Sequence, residues 1–197
     1  MIQGDAHHGT TKDTDPAGIE QLLSYINTRK YAARNRSMML LTHCLGLRIG
    51  EVASLRWSDV TNIAVLVKDE IRLLPDMTEC RHARNVFVSA MLKAALQACA
   101  AQATCVDRSY PFFARQKSIQ LGFNANSLAQ AFALIYEGAG VEGASRHSGR
   151  RTFLTNLATK GTAIYILKML AGHRSISTTA AYLYSSPNLL QAAVELA

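Results

Sequence analysis

One block of the chain, Thr61 to Ser89, restricts the fold more than any other. It contains "IAVLV", "EIRLL" and "NVFVS", rich in β-branched and apolar residues and separated by the polar "KD" and "PDMTECRHA". Such runs between turn-forming stretches predict a small three-stranded antiparallel sheet, with a polar loop between the last two strands. The flanking sequence has helical texture. Ile19, Leu22, Leu23 and Ile26 share one face at the 3.6-residue period. A second helix is expected from Ala32 to Cys44, with Met38 to Leu41 in the core; "GLR" breaks it, and a short third helix follows from Gly50 to about Arg56, ahead of a core Trp57. Beyond the sheet, helices are expected at about 90–104, 125–138, 147–160, 163–171, 176–183 and 188–196. Because the strands sit together between helical blocks and do not alternate with helices, a doubly wound parallel sheet is excluded. The fold class is mainly α with one small antiparallel sheet.

The charge balance narrows the partner. The 21 Lys and Arg against 14 Asp and Glu leave a formal charge of +7, which favours a polyanion. The basic residues fall in local groups, Arg29, Lys30, Arg34 and Arg36, then Arg81 and Arg84, then Arg146, Arg150 and Arg151, which suits several loops meeting one phosphate backbone. No run of eighteen apolar residues is present, and "MIQGDAHHGTTKDTDPAG" lacks the apolar centre of a signal peptide, so neither a membrane span nor export is expected and the compartment is read as cytoplasmic. Residues 1–18 read as a flexible leader. Cys44, Cys80, Cys99 and Cys105 match neither a CxxC pair nor a zinc pattern, so no disulfide, metal or cofactor is expected.

Four segments place polar residues in apolar surroundings: "CLGLRIGEVASLRWSDV" (44–60), "PDMTECRHAR" (75–84), "SRHSGRRTF" (145–153) and "LAGHRSISTTAAY" (170–182). Taken one at a time, their residues have structural readings. Arg48 suits a surface position after a helix end, His147 a helix N-terminus, His173 a turn cap, and Tyr182 packing against Leu170 and Ile176. Taken together and in this order, the segments resemble the tyrosine recombinase (phage integrase) family from about residue 19 to 190. The resemblance implies the DNA breaking–rejoining fold over a catalytic domain at 19–186. It also implies catalytic Arg48, His147, Arg150 and His173, and a nucleophilic Tyr182 nine residues after His173. It further implies double-stranded DNA as substrate, self-association in a tetrameric synapse, and a bacterial cytosolic or nucleoid location.

The residue types suit that chemistry. Two guanidiniums stay charged at any working pH and hold phosphate oxygens in forked geometry. A histidine can act as base or donor near neutrality. A phosphotyrosyl link stores the bond energy, so rejoining needs neither ATP nor metal. Glu51 is expected to support Arg48, with a helix-start acid at the macrodipole as the alternative.

The chain departs from the resembled pattern in two ways. The family's loop lysine, which protonates the leaving 5′ oxygen, is replaced by Glu79; the nearby Arg81 can stabilise charge but cannot release a proton, and Lys68 is a further candidate. Only some 18 residues precede the first helix, where many members of the resembled family carry a separate N-terminal DNA-clamping domain; the chain is then either a compact member that grips DNA from one side or a fragment. The amphipathic "NLLQAAVELA" after Pro187 is expected to form a tail helix over 187–197, either docked on a neighbouring protomer or folded back. Two other functions share these features: a catalytically weakened DNA-binding regulator, and relaxation of the type IB topoisomerase kind.

Overall fold

The structure is a computed structural model that describes residues 14, 16–78, 81–104, 106–116 and 118–184, with the backbone alone for 182–184. Nine helices and two small sheets are found among these residues. The centre of the fold is α2 (Ala32–Leu45), flanked by α1 (Pro16–Asn27), α5 (Ala90–Ala100) and α7 (Ser148–Thr159). Its second half, Ser37 to His43 and Leu45, is buried on every side, and the enclosed hydroxyls of Ser37 and Thr42 donate to the Ala95 and Met39 carbonyls. It stops at Gly46, whose left-handed conformation (φ 63°) lets the backbone N–H close back on the Leu41 carbonyl.

Around α2 the main core gathers Leu22 and Ile26 of α1, Leu92 and Leu96 of α5, and Leu128, Phe132 and Tyr136 of α6 (Ala125–Gly138). Trp57 stacks on Phe112 at 4.7 Å between ring centroids. A second, much smaller cluster consists of Leu154, Leu167 and Ala171, where α7 meets α8 (Ile164–Ala171). The chain then turns at Gly172 into α9 (Ile176–Tyr184). Among the described residues the expected helices form close to their expected bounds, with α1 beginning three residues early at Pro16, while the helix expected at 188–196 lies outside them. The expected third helix forms as α3 (Ile49–Ser54), and an additional turn, α4 (Trp57–Val60), starts beyond it where the Asp59 carboxylate accepts the Arg56 N–H at 2.8 Å.

The β block differs from expectation in strand count. Among the described residues β1 (Glu70–Leu73) pairs with β2 (Arg84–Phe87), antiparallel, with Leu73 opposite Arg84. The "IAVLV" segment does not join them. Asn62 captures the Leu66 N–H with its side chain and the Val65 N–H with its carbonyl, Val65 adopts φ 59°, and the Val67 N–H goes to Gln97 of α5. An asparagine that satisfies the backbone locally turns a β-branched run into a loop closed by one bridge, Thr61 to Val67. A second hairpin, β3 (Ala114–Arg115) with β4 (Ser118–Gly122), lies in polar sequence that carried no strand expectation. Residues 1–13 of the leader, Glu79, Cys80, Cys105 and the tail 187–197 lie outside the described residues. No helix is long and apolar enough to cross a membrane, among the described residues.

Candidate active site

Three chain breaks build the site: the end of α2 at Gly46, the start of α7 at His147, and the α8–α9 turn at Gly172. Arg48 is the N-cap of α3, in extended conformation. Its Nη1 donates to the Ala171 carbonyl at 3.3 Å. Arg150, 4% exposed, reaches the same carbonyl with Nη2 at 2.6 Å and the Gly46 carbonyl with Nη1 at 2.6 Å. The fork of Arg150 thus ties two of the breaks together, and the two guanidiniums converge on one oxygen. Arg150 can sit this deep because α7 comes close to α2. A Cβ on Gly149 would lie 2.3 Å from Thr42 Oγ1 and 2.8 Å from His43 Nδ1.

His147 caps α7 and is exposed, and the Arg146 Nε–H donates to its Nε2 at 3.0 Å. His173 is buried, with Nδ1 2.9 Å from the Thr179 hydroxyl. Burial, followed by the guanidiniums of Arg150, Arg48 and Arg84, pushes its pKa down to about 3, so the ring is neutral near pH 7. Arg48, His147, Arg150 and His173 line one cavity of about 340 Å³ together with Gly50, Ala125 and Thr178. Four residues separated by up to 125 positions, from Arg48 to His173, therefore face a common space. The backbone of Tyr182 lies on α9, in its last turn; its side chain lies outside the described residues.

Glu51 does more than its expected role. Its Oε2 accepts the Arg48 backbone N–H at 2.8 Å, and its Oε1 is 3.6 Å from Arg48 Nη1. The same carboxylate, 1% exposed, takes a bidentate pair from Arg84, Nη1 to Oε1 at 2.6 Å and Nη2 to Oε2 at 2.7 Å. Arg84 also lies under the α8–α9 turn: a Cβ on Gly172, already at φ +64°, would stand 2.8 Å from Arg84 Nη1. Sequence reading grouped Arg84 only as a basic residue, and its 33-residue separation from Glu51 left no local signal. Arg81, the expected support, is exposed at φ 52° in the loop before β2 and does not line the cavity. The Lys68 ammonium donates to the Ser58 carbonyl at 2.7 Å, also outside the cavity lining. Among the described residues no group of three or more His, Cys, Asp or Glu is placed to hold a metal ion.

A model of the phage integrase family matches residues 12–188. Two curated relatives are both named tyrosine recombinase XerD. That of Oceanobacillus iheyensis is 24% identical over 174 residues, covering 83% of this chain and 54% of that protein. That of Xanthomonas axonopodis pv. citri is 30% identical over 161 residues, covering 76% and 50%. The chain spans about half the length of the curated relatives it matches. Among solved structures, XerA recombinase is similar at TM-score 0.75 and 18% identity, over 91% of this chain and 62% of that one. The Tn1549 transposon integrase in complex with a circular intermediate DNA reaches 0.77 at 18%, over 100% and 68%. XerH site-specific recombinase, in a post-cleavage complex with a palindromic difH substrate, reaches 0.70 at 20%, over 93% and 52%. At these identities the structural likeness establishes the fold.

Proposed function

The chain belongs to the phage integrase family, and on that premise we propose that it is a site-specific DNA recombinase that cleaves and rejoins duplex DNA through a 3′-phosphotyrosyl link at Tyr182. The observation that carries this reading is that Arg48 and Arg150, tied to one carbonyl, line a cavity that His147 and His173 also line. Two fixed guanidiniums suit the non-bridging oxygens of a scissile phosphate, where charge develops as the nucleophile attacks. The Tyr182 phenolic oxygen bonds to phosphorus while its proton passes to the His147 imidazole, and the 5′ oxygen leaves with a proton delivered from the β1–β2 loop or solvent. His173, neutral at pH 7, supplies an N–H to a phosphate oxygen. The phosphoester bond is conserved in the phosphotyrosine, so religation by an incoming 5′ hydroxyl runs the same step backwards without ATP or metal.

In this reading residues 19–186 are the catalytic domain and 187–197 a tail, the protein works in the cytoplasm, and its partners are double-stranded DNA and further copies of the chain in a tetrameric synapse. Support for DNA as substrate comes from the charge of +7 and from the DNA-bound state of the Tn1549 and XerH structures. The test is incubation with nicked suicide duplexes carrying candidate sites. A covalent protein–DNA adduct that Tyr182→Phe abolishes is the expected result. Absence of adduct with the unaltered protein refutes enzymatic function and leaves a DNA-binding regulator. Adduct on every sequence, with relaxation of supercoils, assigns topoisomerase activity instead.

A further inference from the structure

The hydroxyl of Thr179 makes one hydrogen bond among the described residues, and it is to the imidazole of His173. Thr179 is completely buried, so its hydroxyl cannot turn to water for a replacement partner. Two arrangements are open to such a pair. In one, the His173 Nδ1–H donates to the threonine oxygen; the threonine O–H is then left in the interior with no acceptor, at a cost of roughly 1–3 kcal/mol. In the other, the threonine O–H donates to a bare Nδ1, and the ring's own N–H sits on Nε2 of a side chain that lines the cavity, where solvent or substrate can accept it. The second leaves the threonine donor satisfied. A neutral imidazole carries a single N–H, so a bare Nδ1 places the proton on Nε2.

We infer that Thr179 is a positioning residue of the active site, whose hydroxyl donates to His173 Nδ1 and holds the ring as its Nε2–H tautomer. This rests on the recombinase reading for its catalytic consequence, though not for the hydrogen bond itself. The residue has a second significance through its place in the chain. It lies on α9, three positions before Tyr182, and the residue it orients lies on the turn that precedes that helix. The tautomer of the phosphate-binding histidine is thereby tied to the seating of the helix that carries the nucleophile. If α9 moves away, the bond breaks and Nδ1 loses the donor that keeps it bare. Arg48, Arg84 and Arg150 are the charged groups that bear on the ring from α3, β2 and α7, and all three oppose its protonation.

Thr179→Val preserves the shape and removes the hydroxyl; Thr179→Ser preserves the hydroxyl. Single-turnover adduct formation on a suicide duplex is expected to slow by about tenfold to a hundredfold in Thr179→Val, the range seen when groups orienting an imidazole are lost. Thr179→Ser is expected to recover most of that loss. The second readout needs no activity: long-range ¹H–¹⁵N correlation of ¹⁵N-histidine protein, with His173 assigned through His173→Gln. It should show His173 as the Nε2–H tautomer in the unaltered protein and in Thr179→Ser, and a tautomer mixture in Thr179→Val. An Nδ1–H ring in the unaltered protein overturns the proposal, as does Thr179→Val cleaving at the unaltered rate. If the unaltered protein forms no adduct at all, the recombinase reading fails, and the nitrogen spectra still decide whether Thr179 sets the tautomer.

Discussion

Replacing Arg84 by methionine tests whether the site is built around one carboxylate. The substitution keeps an unbranched apolar stem and removes the guanidinium. Glu51, 1% exposed in the unaltered protein, then keeps the Arg48 N–H at 2.8 Å and Arg48 Nη1 at 3.6 Å and loses both short bonds from Arg84. Removing one partner of a buried ion pair costs about 3–5 kcal/mol. Because Arg48 still neutralises part of the charge, the low end applies, about 3 kcal/mol. At roughly 2–4 °C per kcal/mol for a chain of this size, Tm should fall by about 6–12 °C. Urea unfolding followed by far-ultraviolet circular dichroism measures the free energy, and scanning calorimetry the temperature. The double variant Glu51→Met with Arg84→Met removes both charges, and should be less destabilised than the sum of the two single variants. A loss below about 1 kcal/mol in Arg84→Met, or strict additivity in the double variant, would refute the keystone role of the pair.

Two further perturbations read the same architecture. Burial holds the imidazoles of His43 and His173 below the usual histidine range, His173 near 3. Both are therefore neutral in the native state and charge first in the unfolded chain, so their contribution is intact above about pH 6.5 and declines as acid is added, until pH passes the folded value. Each should remove up to about 1.4 kcal/mol per pH unit; a urea midpoint identical at pH 7 and pH 5 contradicts this. Gly149→Ala puts a methyl where Thr42 Oγ1 already stands at 2.3 Å, forcing α7 away from α2. That overpacking should cost about 1–3 kcal/mol in urea unfolding and slow adduct formation through Arg150, while a stability change under about 0.5 kcal/mol would show that the helices separate freely.

Much of this could be read from residue order because the information was local. The apolar run Met38–Leu41 fixes α2, and each of the four cavity residues comes from a short segment with its own turn or cap signals. What escaped was long-range or depended on which of two local preferences prevailed. "IAVLV" has strand composition, yet Asn62 captures its backbone and Gln97 takes the Val67 N–H. "ARQKSIQLG" is too polar to announce a hairpin, which forms because the ends of α5 and α6 leave the connecting chain to pair with itself. The partner of Glu51 is one of several arginines by sequence, and only the fold selects Arg84. Thr179 sits in a run of small hydroxylated residues, where nothing local distinguishes a side chain directed inward from its exposed neighbours Ser177 and Thr178.

The unequal division of the core has a mechanical consequence. The main cluster holds most of the buried apolar side chains, while the α7–α8 cluster has three. Of the side chains from Ile176 to Ala181 only Thr179 is fully buried, so this part of α9 is secured by a hydroxyl on an imidazole and by no fully buried apolar anchor. A neutral hydrogen bond contributes about 1 kcal/mol net, a small fraction of what a packed leucine would supply. Over Ile176–Ala181 the helix is therefore held as a latch is, by a contact weak enough for a binding event to break. The arginines remain with the rigid body, and the part that can leave is the arm that carries the tyrosine.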